Sequence, residues 1–343
     1  MLLVYNNRTL IVLIRWIIAL LSLSILESCA DHSRLINPKE LQQDCIAHHN
    51  RPCLKFNLIS SLTGHDNYLF VADKKEISRI DLKAETKETF FDLKDRKTFR
   101  NLFGFLDHSP QSMVVSEGVL FVSDTLKDSI LRIDTKSSKI EADTILDENI
   151  LLKPKKIIVE NNILYIADSG NHRIIGYDLH TQKVTEPFSV ENFNSKSING
   201  IMLNEVEYFI KNNNILWFLD TPNFYKIDLT DKSIRRINTP LNPRYSDLRR
   251  KIRYLEQNEN NIFFEIVFDQ KIVGYSKEEN TFFDLAGCCR SYNLSNGIGS
   301  EVKLGSVLAM TIHDGIMYIA VHSGKNESLI RKIDLKTRIV TTL

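Results

Sequence analysis

The chain has 343 residues, with 44 basic and 43 acidic side chains and a formal net charge of +1. This balance gives no global field to attract nucleic acid, and we expect no nucleic-acid partner. Hydrophobic residues make up 43% of the chain and charged residues 25%, which is typical of a globular protein with a core and excludes a disordered chain.

The first thirty residues combine positive charge with a short apolar run. Arg8 and Arg15 precede the run Trp16–Leu26, which is the layout of a secretory signal. This run is shorter than the roughly 20 apolar residues that span a bilayer. Counted from Leu10 it approaches that length, so an uncleaved membrane anchor is the alternative.

The apolar run ends in a segment that resembles a bacterial lipobox. Leu26 stands third before Cys29, Ser28 stands directly before it, and Glu27 departs from the small or apolar residue of the pattern. The resemblance implies a signal peptide over residues 1–28, acylation of Cys29 and a tether over residues 29–53. A plain signal peptide or anchor, with Cys29 incidental, is the other interpretation.

Acyl chains on Cys29 would attach the protein to a membrane, because each buried methylene contributes about 0.8 kcal/mol. We therefore expect a location in the cell envelope. Ala30, directly after the cysteine, resembles the residues that permit sorting of lipoproteins to the outer membrane. If the envelope is Gram-negative, the protein would then lie on the periplasmic face of the outer membrane.

Residues 54–343 repeat one pattern of short strands. An apolar strand recurs six times, and its last residue steps by 44 to 55 positions, which suits a propeller blade. A second strand, a polar turn and a third strand follow each time, and a further strand opens each unit. The pattern predicts an all-β fold, a six-bladed β-propeller of four-stranded antiparallel blades. The apolar strands are Tyr68–Asp73, Val119–Asp124, Ile163–Asp168, Ile215–Asp220, Asn261–Ile266 and Ile316–Val321.

The third unit carries residues that allow a comparison with a family. Ile163–Asp178, with Asn171–Ile174 at its turn, resembles the NHL repeat. Leu285–Arg290 and Gly297–Ser300 are similar to the glycine-rich loop that precedes such a repeat. The fourth, fifth and sixth units depart most from the family pattern.

An aspartate closes the apolar strand in the first four units. One interpretation is a ring of carboxylates lining a ligand channel. We favour a structural role, because a short carboxylate at a strand end accepts N–H groups of the following turn. Arg173 is predicted to pair with the third of these aspartates and to order that turn. The aspartates are Asp73, Asp124, Asp168 and Asp220.

Several histidines raise the hypothesis of a metal site, because histidines from different blades could converge on the axis. Peptide-amidating lyases, which are propellers of related type, use such an arrangement. The loops that carry these histidines are not equivalent between units, so we predict no cofactor, assign no metal ligand, and keep a divalent metal as the alternative. The histidines are His65, His108, His172, His313 and His322.

Four cysteines remain after Cys29 is set aside, and an even number in an exported protein suggests disulfides. Our hypothesis joins Cys45 or Cys53 to Cys288 or Cys289, which would pin the point where the ring closes. The alternatives are a local disulfide between Cys45 and Cys53, or cysteines that stay as thiols. The sequence shows no obvious exchange of strands between the two ends of the repeat region, and it leaves the mode of ring closure open.

These features favour a lipid-anchored binding or scaffold protein of the cell envelope, with one rim of the propeller holding a protein or glycan partner. The alternative is a metal- or calcium-dependent lyase or hydrolase, lactonase-like or amidating-lyase-like, with its site in the central funnel. Propellers host both classes, so fold analogy does not separate them. The basic stretch Arg244–Arg253 is interpreted as a solvated strand or loop, with an anion site as the other possibility.

Overall fold

The computed structural model describes residues 53–73, 76–92, 110–136, 142–189, 206–220, 223–238, 252–289, 294–324 and 327–343. Cys29, Cys45 and His108 lie outside these residues, as do the side chain of Asp220 and residues 1–52 with the predicted signal peptide. No helix in the described ranges is long and apolar enough to cross a membrane.

The described residues form six antiparallel sheets, each containing four consecutive strands, arranged as a six-bladed β-propeller. Blade one contains β1 (Ser61–His65), β2 (Tyr68–Ala72), β3 (Glu76–Asp81) and β4 (Thr86–Asp92). Blade two contains β5 (Ser112–Ser116), β6 (Val119–Asp124), β7 (Ser129–Asp134) and β8 (Ala142–Leu146). Blade three contains β9 (Pro154–Glu160), β10 (Ile163–Asp168), β11 (Arg173–Asp178) and β12 (Val184–Ser189).

The remaining three sheets follow the same plan, and the last of them gains a short edge strand. Blade four contains β13 (Tyr208–Asn212), β14 (Ile215–Asp220), β15 (Asn223–Asp228) and β16 (Ser233–Ile237). Blade five contains β17 (Ile252–Gln257), β18 (Asn261–Ile266), β19 (Lys271–Ser276) and β20 (Phe282–Ala286). Blade six contains β21 (Gly297–Ile298), β22 (Val307–His313), β23 (Ile316–Gly324), β24 (Glu327–Asp334) and β25 (Ile339–Thr342), with β21 paired to β25.

The second strand of each blade is mostly apolar because the sheet packs against a neighbouring blade on both faces. In β10, every residue from Leu164 to Asp168 is buried. Outer strands such as β4 are exposed at most positions. Short apolar runs of this length are what a fully buried strand requires.

The first strands of the six blades form the wall of the centre. Each packs against the first strand of the next blade, and β22 packs against β1 to complete the ring. Their residues therefore decide the chemistry of the channel.

The ring closes through the segment that precedes β1. The Leu54 N–H donates to the Leu343 carbonyl at 3.2 Å, and Phe56 exchanges backbone hydrogen bonds with Ser328 of β24. Residues 54–56 thus extend the outer edge of blade six beyond the end of β25. This answers the question of ring closure, which the sequence leaves open. The sequence concealed the pairing because the segment is too short to show a strand pattern.

A second set of aspartates shapes the turns between the third and fourth strands. The Asp178 carboxylate accepts the N–H groups of His180 and Thr181 at 2.9 and 2.7 Å, and Asp334 accepts those of Lys336 and Thr337. The backbone N–H of Thr181 is the main cause that lowers the pKa of Asp178. These carboxylates mimic a backbone turn, which explains the recurrent Asp at this position of the repeat.

Candidate functional site in the central channel

A cavity of about 300 Å³ occupies the end of the channel at which the inner strands begin. All six inner strands or the residues just before them contribute to its wall. We call this end of the propeller the cavity face. The turns that follow the second strands lie on the same face, and Thr125 from one of them reaches the wall.

The wall has two unlike sides. Blades six, one and two supply apolar and small polar groups, such as Leu62, Ser112 and Met310. Blades three to five supply the charged and aromatic groups. These are Lys155, Lys156, Glu207, Tyr208, Arg253, Tyr254 and Glu256.

Four of the five charged groups of the wall are paired with one another. Lys156 of β9 donates to Glu256 of β17 with 2.5 Å between Nζ and Oε1, which joins blade three to blade five across blade four. Lys155 forms a second ion pair with Glu207, just ahead of β13. Both side chains of the first pair are less than one-fifth exposed, so solvent screens it weakly.

A β-bulge in β17 places five consecutive residues on the wall. Pairing with β18 shifts register between Arg253 and Glu256, and Tyr254 adopts a φ of 55°. A bulky residue in this left-handed region is an outlier that costs about 1–3 kcal/mol. Bulges of this kind re-aim side chains next to functional sites.

The bulge holds Tyr254 against two neighbouring blades. Its hydroxyl donates to the Leu308 carbonyl at 2.5 Å, and its ring meets Tyr208 edge to face at 5.4 Å. Burial raises the pKa of the Tyr254 hydroxyl well above its usual value, so it is a hydrogen-bond donor at neutral pH.

A buried carboxyl group stands behind this wall. Glu265 of β18 is fully buried and is the cross-strand neighbour of Arg253. Its Oε1 accepts the Val307 N–H at 3.2 Å, while its Oε2 has no hydrogen-bond partner among the described residues. Burial raises the pKa of Glu265 to about 7, against the opposing effects of Arg253 and the Val307 N–H. Burial is the largest single effect on Arg253 and disfavours its charge, but Glu265, Tyr254 and Tyr208 together outweigh it, so the pKa of the guanidinium rises.

The three predicted repeat aspartates whose side chains the structure describes do not face the cavity. Asp73, Asp124 and Asp168 are at most 1% exposed and do not belong to its wall. Asp168 accepts the Leu152 N–H at 2.7 Å and the Arg173 Nε–H at 2.8 Å. Asp73 likewise accepts the Glu76 N–H at 3.0 Å. The contacts of Asp73 and Asp168 tie strand ends to neighbouring turns.

The predicted histidines are spread over both faces. His65 and His313 lie at the opposite end from the cavity, where the His313 Nε2 is 2.6 Å from the Asp66 carbonyl oxygen. His172 and His322 lie at or beside second-strand ends, toward the cavity face. Within the described ranges, no group of three or more His, Cys, Asp or Glu side chains is placed to hold a metal ion.

Cys53 is disulfide-bonded, whereas Cys288 and Cys289 are present as thiols. The hypothesis of a bond from Cys53 to Cys288 or Cys289 is therefore wrong. Cys53 does pack against the core of blade six, as a role in closure would require. Cys288 and Cys289 instead lie next to each other after β20, with their Sγ atoms 2.8 Å apart.

Sequence reasoning missed the charged wall. Arg253 was interpreted as part of a solvated basic stretch, but it lines the cavity beside Glu265. One signal was available. Glu265 takes the position that Ala72, Ala167 and Ala320 hold in other blades, and an acidic residue there marks the fifth unit as different.

Comparisons with known proteins show the fold alone. No protein-family model and no curated relative matches the chain. A Bacteroides thetaiotaomicron protein of unknown function has a TM-score of 0.58 at 14% identity, over 80% of this chain and 70% of its own. A streptogramin B lyase has a TM-score of 0.51 at 11% identity, over 84% of this chain and 85% of its own. Both support a propeller-type fold.

Proposed function

We propose that this chain is a lipid-anchored binding protein of the cell envelope, related to NHL-repeat propellers, that holds a sugar unit of a glycan at its cavity face. The observation that carries the proposal is the two-sided wall of the central cavity. Charged and tyrosine side chains occupy blades three to five, and apolar and hydroxyl groups face them.

The size and chemistry of the cavity suit a single sugar ring. A volume of about 300 Å³ is at the lower end of the roughly 300–1,000 Å³ range of small-molecule sites. A pyranose has C–H groups on its faces and hydroxyls at its edge. The side carrying Leu62 and Met310 complements the faces, while the carboxylate of Glu256 and the ammonium of Lys155 complement the hydroxyls.

The paired charges favour a neutral ligand. Lys156 already neutralises Glu256, Lys155 neutralises Glu207, and Arg253 lies beside Glu265, so a charged ligand would have to compete with a partner that is already in place. A neutral sugar can accept and donate hydrogen bonds while both pairs stay intact. Tyr254 contacts Leu308 of blade six and Tyr208 of blade four, and these contacts hold the wall in position before the ligand binds. Less conformational entropy is therefore lost on binding.

Binding of the full-length chain in detergent to an array of envelope glycans tests this function. We expect a defined set of terminal sugars to bind, and Glu256→Gln to weaken binding because a charged acceptor is lost. Arg132→Gln is the matched control, since Arg132 lies on the outer part of blade two, away from the cavity wall. Equal binding by both variants, or no binding to any glycan, would reject the proposal.

Attachment to the membrane is tested separately. Cys29 is the proposed acylated residue, so radiolabelled palmitate should enter the wild-type chain and be absent from Cys29→Ser, which should leave the membrane fraction if the signal is cleaved. Retention of the variant in membranes would instead support an uncleaved anchor.

The same glycan assay distinguishes binding from the competing lyase or hydrolase function. A binding protein returns the glycan intact, whereas a lyase or hydrolase shortens it, which mass spectrometry of the recovered glycan detects. The likeness to a streptogramin B lyase does not favour catalysis, because at 11% identity it concerns the fold only.

A further inference from the structure

We propose that Cys288 and Cys289 form a reversible disulfide between neighbouring residues, a redox-sensitive modification site on the cavity face of the propeller. The two thiols follow β20, which ends at Ala286 on that face. Their Sγ atoms are 2.8 Å apart, closer than the roughly 3.5–4.0 Å usual for non-bonded heavy atoms. They are therefore already near bonding distance.

Two backbone hydrogen bonds fix the segment that leads into the pair. The Gly287 N–H donates to the Gly299 carbonyl at 3.1 Å, and the Cys288 N–H donates to the Val302 carbonyl at the same distance. Gly287 has a φ of +96°, and a Cβ there would lie 2.5 Å from the Gln270 carbonyl oxygen. The turn that leads into the two cysteines thus depends on glycine at this position.

Oxidants can reach the pair. Cys288 is exposed and Cys289 is half-buried, in contrast to the buried cysteines that are usual in protein cores. Cys53 is itself disulfide-bonded, and disulfides persist in oxidising compartments, where the pair would also meet oxidants.

A bond at this position would be easy to reduce. Neighbouring Cα atoms joined by a trans peptide are about 3.8 Å apart, below the roughly 4.4–6.8 Å of ordinary disulfides. The resulting strain raises the reduction potential, and labile disulfides of this kind are regulatory rather than structural. We therefore assign the pair a switching role rather than a stabilising one.

The chemical step balances with a small disulfide such as oxidised glutathione as the electron acceptor. The Cys288 thiol loses its proton to water, and its sulfur attacks glutathione disulfide, releasing one glutathione thiolate. The Cys289 sulfur, deprotonated in turn, displaces the second glutathione from the mixed disulfide. Two protons leave, two electrons pass from the cysteines to glutathione, and two glutathione thiols form.

Peptide mapping of the full-length protein after equilibration with oxidised glutathione tests the proposal. We expect the peptide that carries both cysteines to lose two hydrogen atoms in mass and to resist alkylation. Dithiothreitol should restore two alkylation sites on it, at a lower concentration than the one that reduces the disulfide at Cys53. Reduced wild-type protein should also bind one equivalent of phenylarsine oxide, a reagent that needs two adjacent thiols.

Cys288→Ser and Cys289→Ser are the controls, because each leaves one thiol that can form only a mixed disulfide with glutathione. Both variants should gain the mass of one glutathione and lose phenylarsine oxide binding. The proposal is overturned if the wild-type peptide stays fully alkylated, carries glutathione on both cysteines, or becomes linked to Cys53.

Discussion

Lys156 and Glu256 meet across the central channel, 2.5 Å apart, although they stand 100 positions apart in the chain. The pair joins blade three to blade five without passing through blade four. Among the described residues, the main strand contacts between blades join neighbouring blades. A link between blades three and five therefore couples the stability of two repeats that are not neighbours.

Breaking this pair should destabilise the ring. Lys156→Met leaves Glu256 without its partner at a site where only 16% of its side chain is exposed. We expect a loss of about 1–3 kcal/mol in the free energy of unfolding, between the values of exposed and fully buried pairs. Urea unfolding measures it.

A double-mutant cycle with Glu256→Leu isolates the pairwise contribution. The double variant should lose less than the sum of the single variants, because no unpaired charge remains. Arg132→Gln removes a comparable pair with Asp143, whose side chains are 51% and 64% exposed, and should cost under about 1 kcal/mol. Equal losses for both pairs would contradict a special role for the cross-channel link.

Glu265 should make stability depend on pH. The pKa of Glu265 is raised from 4.5 to about 7 in the folded protein. Between these two pH values the folded state therefore holds a proton that the unfolded state has lost. The stability from this group is fully present below about pH 4.5 and is lost as pH rises through about 7. The shift corresponds to at most about 3 kcal/mol.

Glu265→Gln mimics the protonated carboxyl group at every pH. The variant and the wild type should therefore have nearly the same stability near pH 4.5, and the variant should become the more stable of the two as pH approaches 8. Thermal unfolding across that range measures the difference. A constant difference between the two proteins would mean that Glu265 titrates normally.

The blades were predictable from the chain because their signal is local. A run such as Ile163–Asp168 is apolar, bounded by turn residues and repeated at a regular interval, so each unit indicates its own strands without reference to the others. The turn at Asp168 was also predictable from local sequence, because the partner of this aspartate, Arg173, is only five residues away.

The central cavity was not predictable because it is assembled from residues far apart. Nothing in the sequence marks Lys156 as the partner of Glu256. The bulge at Tyr254 lacks the glycine that would announce a positive φ. The closing segment was missed because Phe56 forms a single bridge to Ser328 rather than a strand with a periodic pattern.

The repeat aspartates should matter for stability in proportion to their burial. Asp168→Ala removes a fully buried carboxylate that accepts hydrogen bonds from Leu152, Asn171 and Arg173. We expect a loss of about 3–5 kcal/mol, because Arg173 loses a buried counter-charge. Chemical denaturation of the purified variant measures it.

Asp134→Ala is the matched control for that substitution. Asp134 is exposed and accepts the Lys136 N–H in a turn, so its loss should cost only about 1 kcal/mol. If the two variants lose similar amounts of unfolding free energy, burial of the strand-end carboxylate does not increase its contribution to stability.

Closure of the ring should depend on Phe56. Its side chain is 4% exposed and packs in the core shared by blades one and six, beside Leu343 and Tyr318. Phe56→Ala should cost about 3–5 kcal/mol and speed hydrogen exchange at Ser328, whose N–H donates to the Phe56 carbonyl at 3.0 Å. Leu126→Ala, at a side chain that is 57% exposed, should change stability by less than about 0.5 kcal/mol. If exchange at Ser328 stays slow in the Phe56 variant, packing between β1 and β22 alone holds the ring closed.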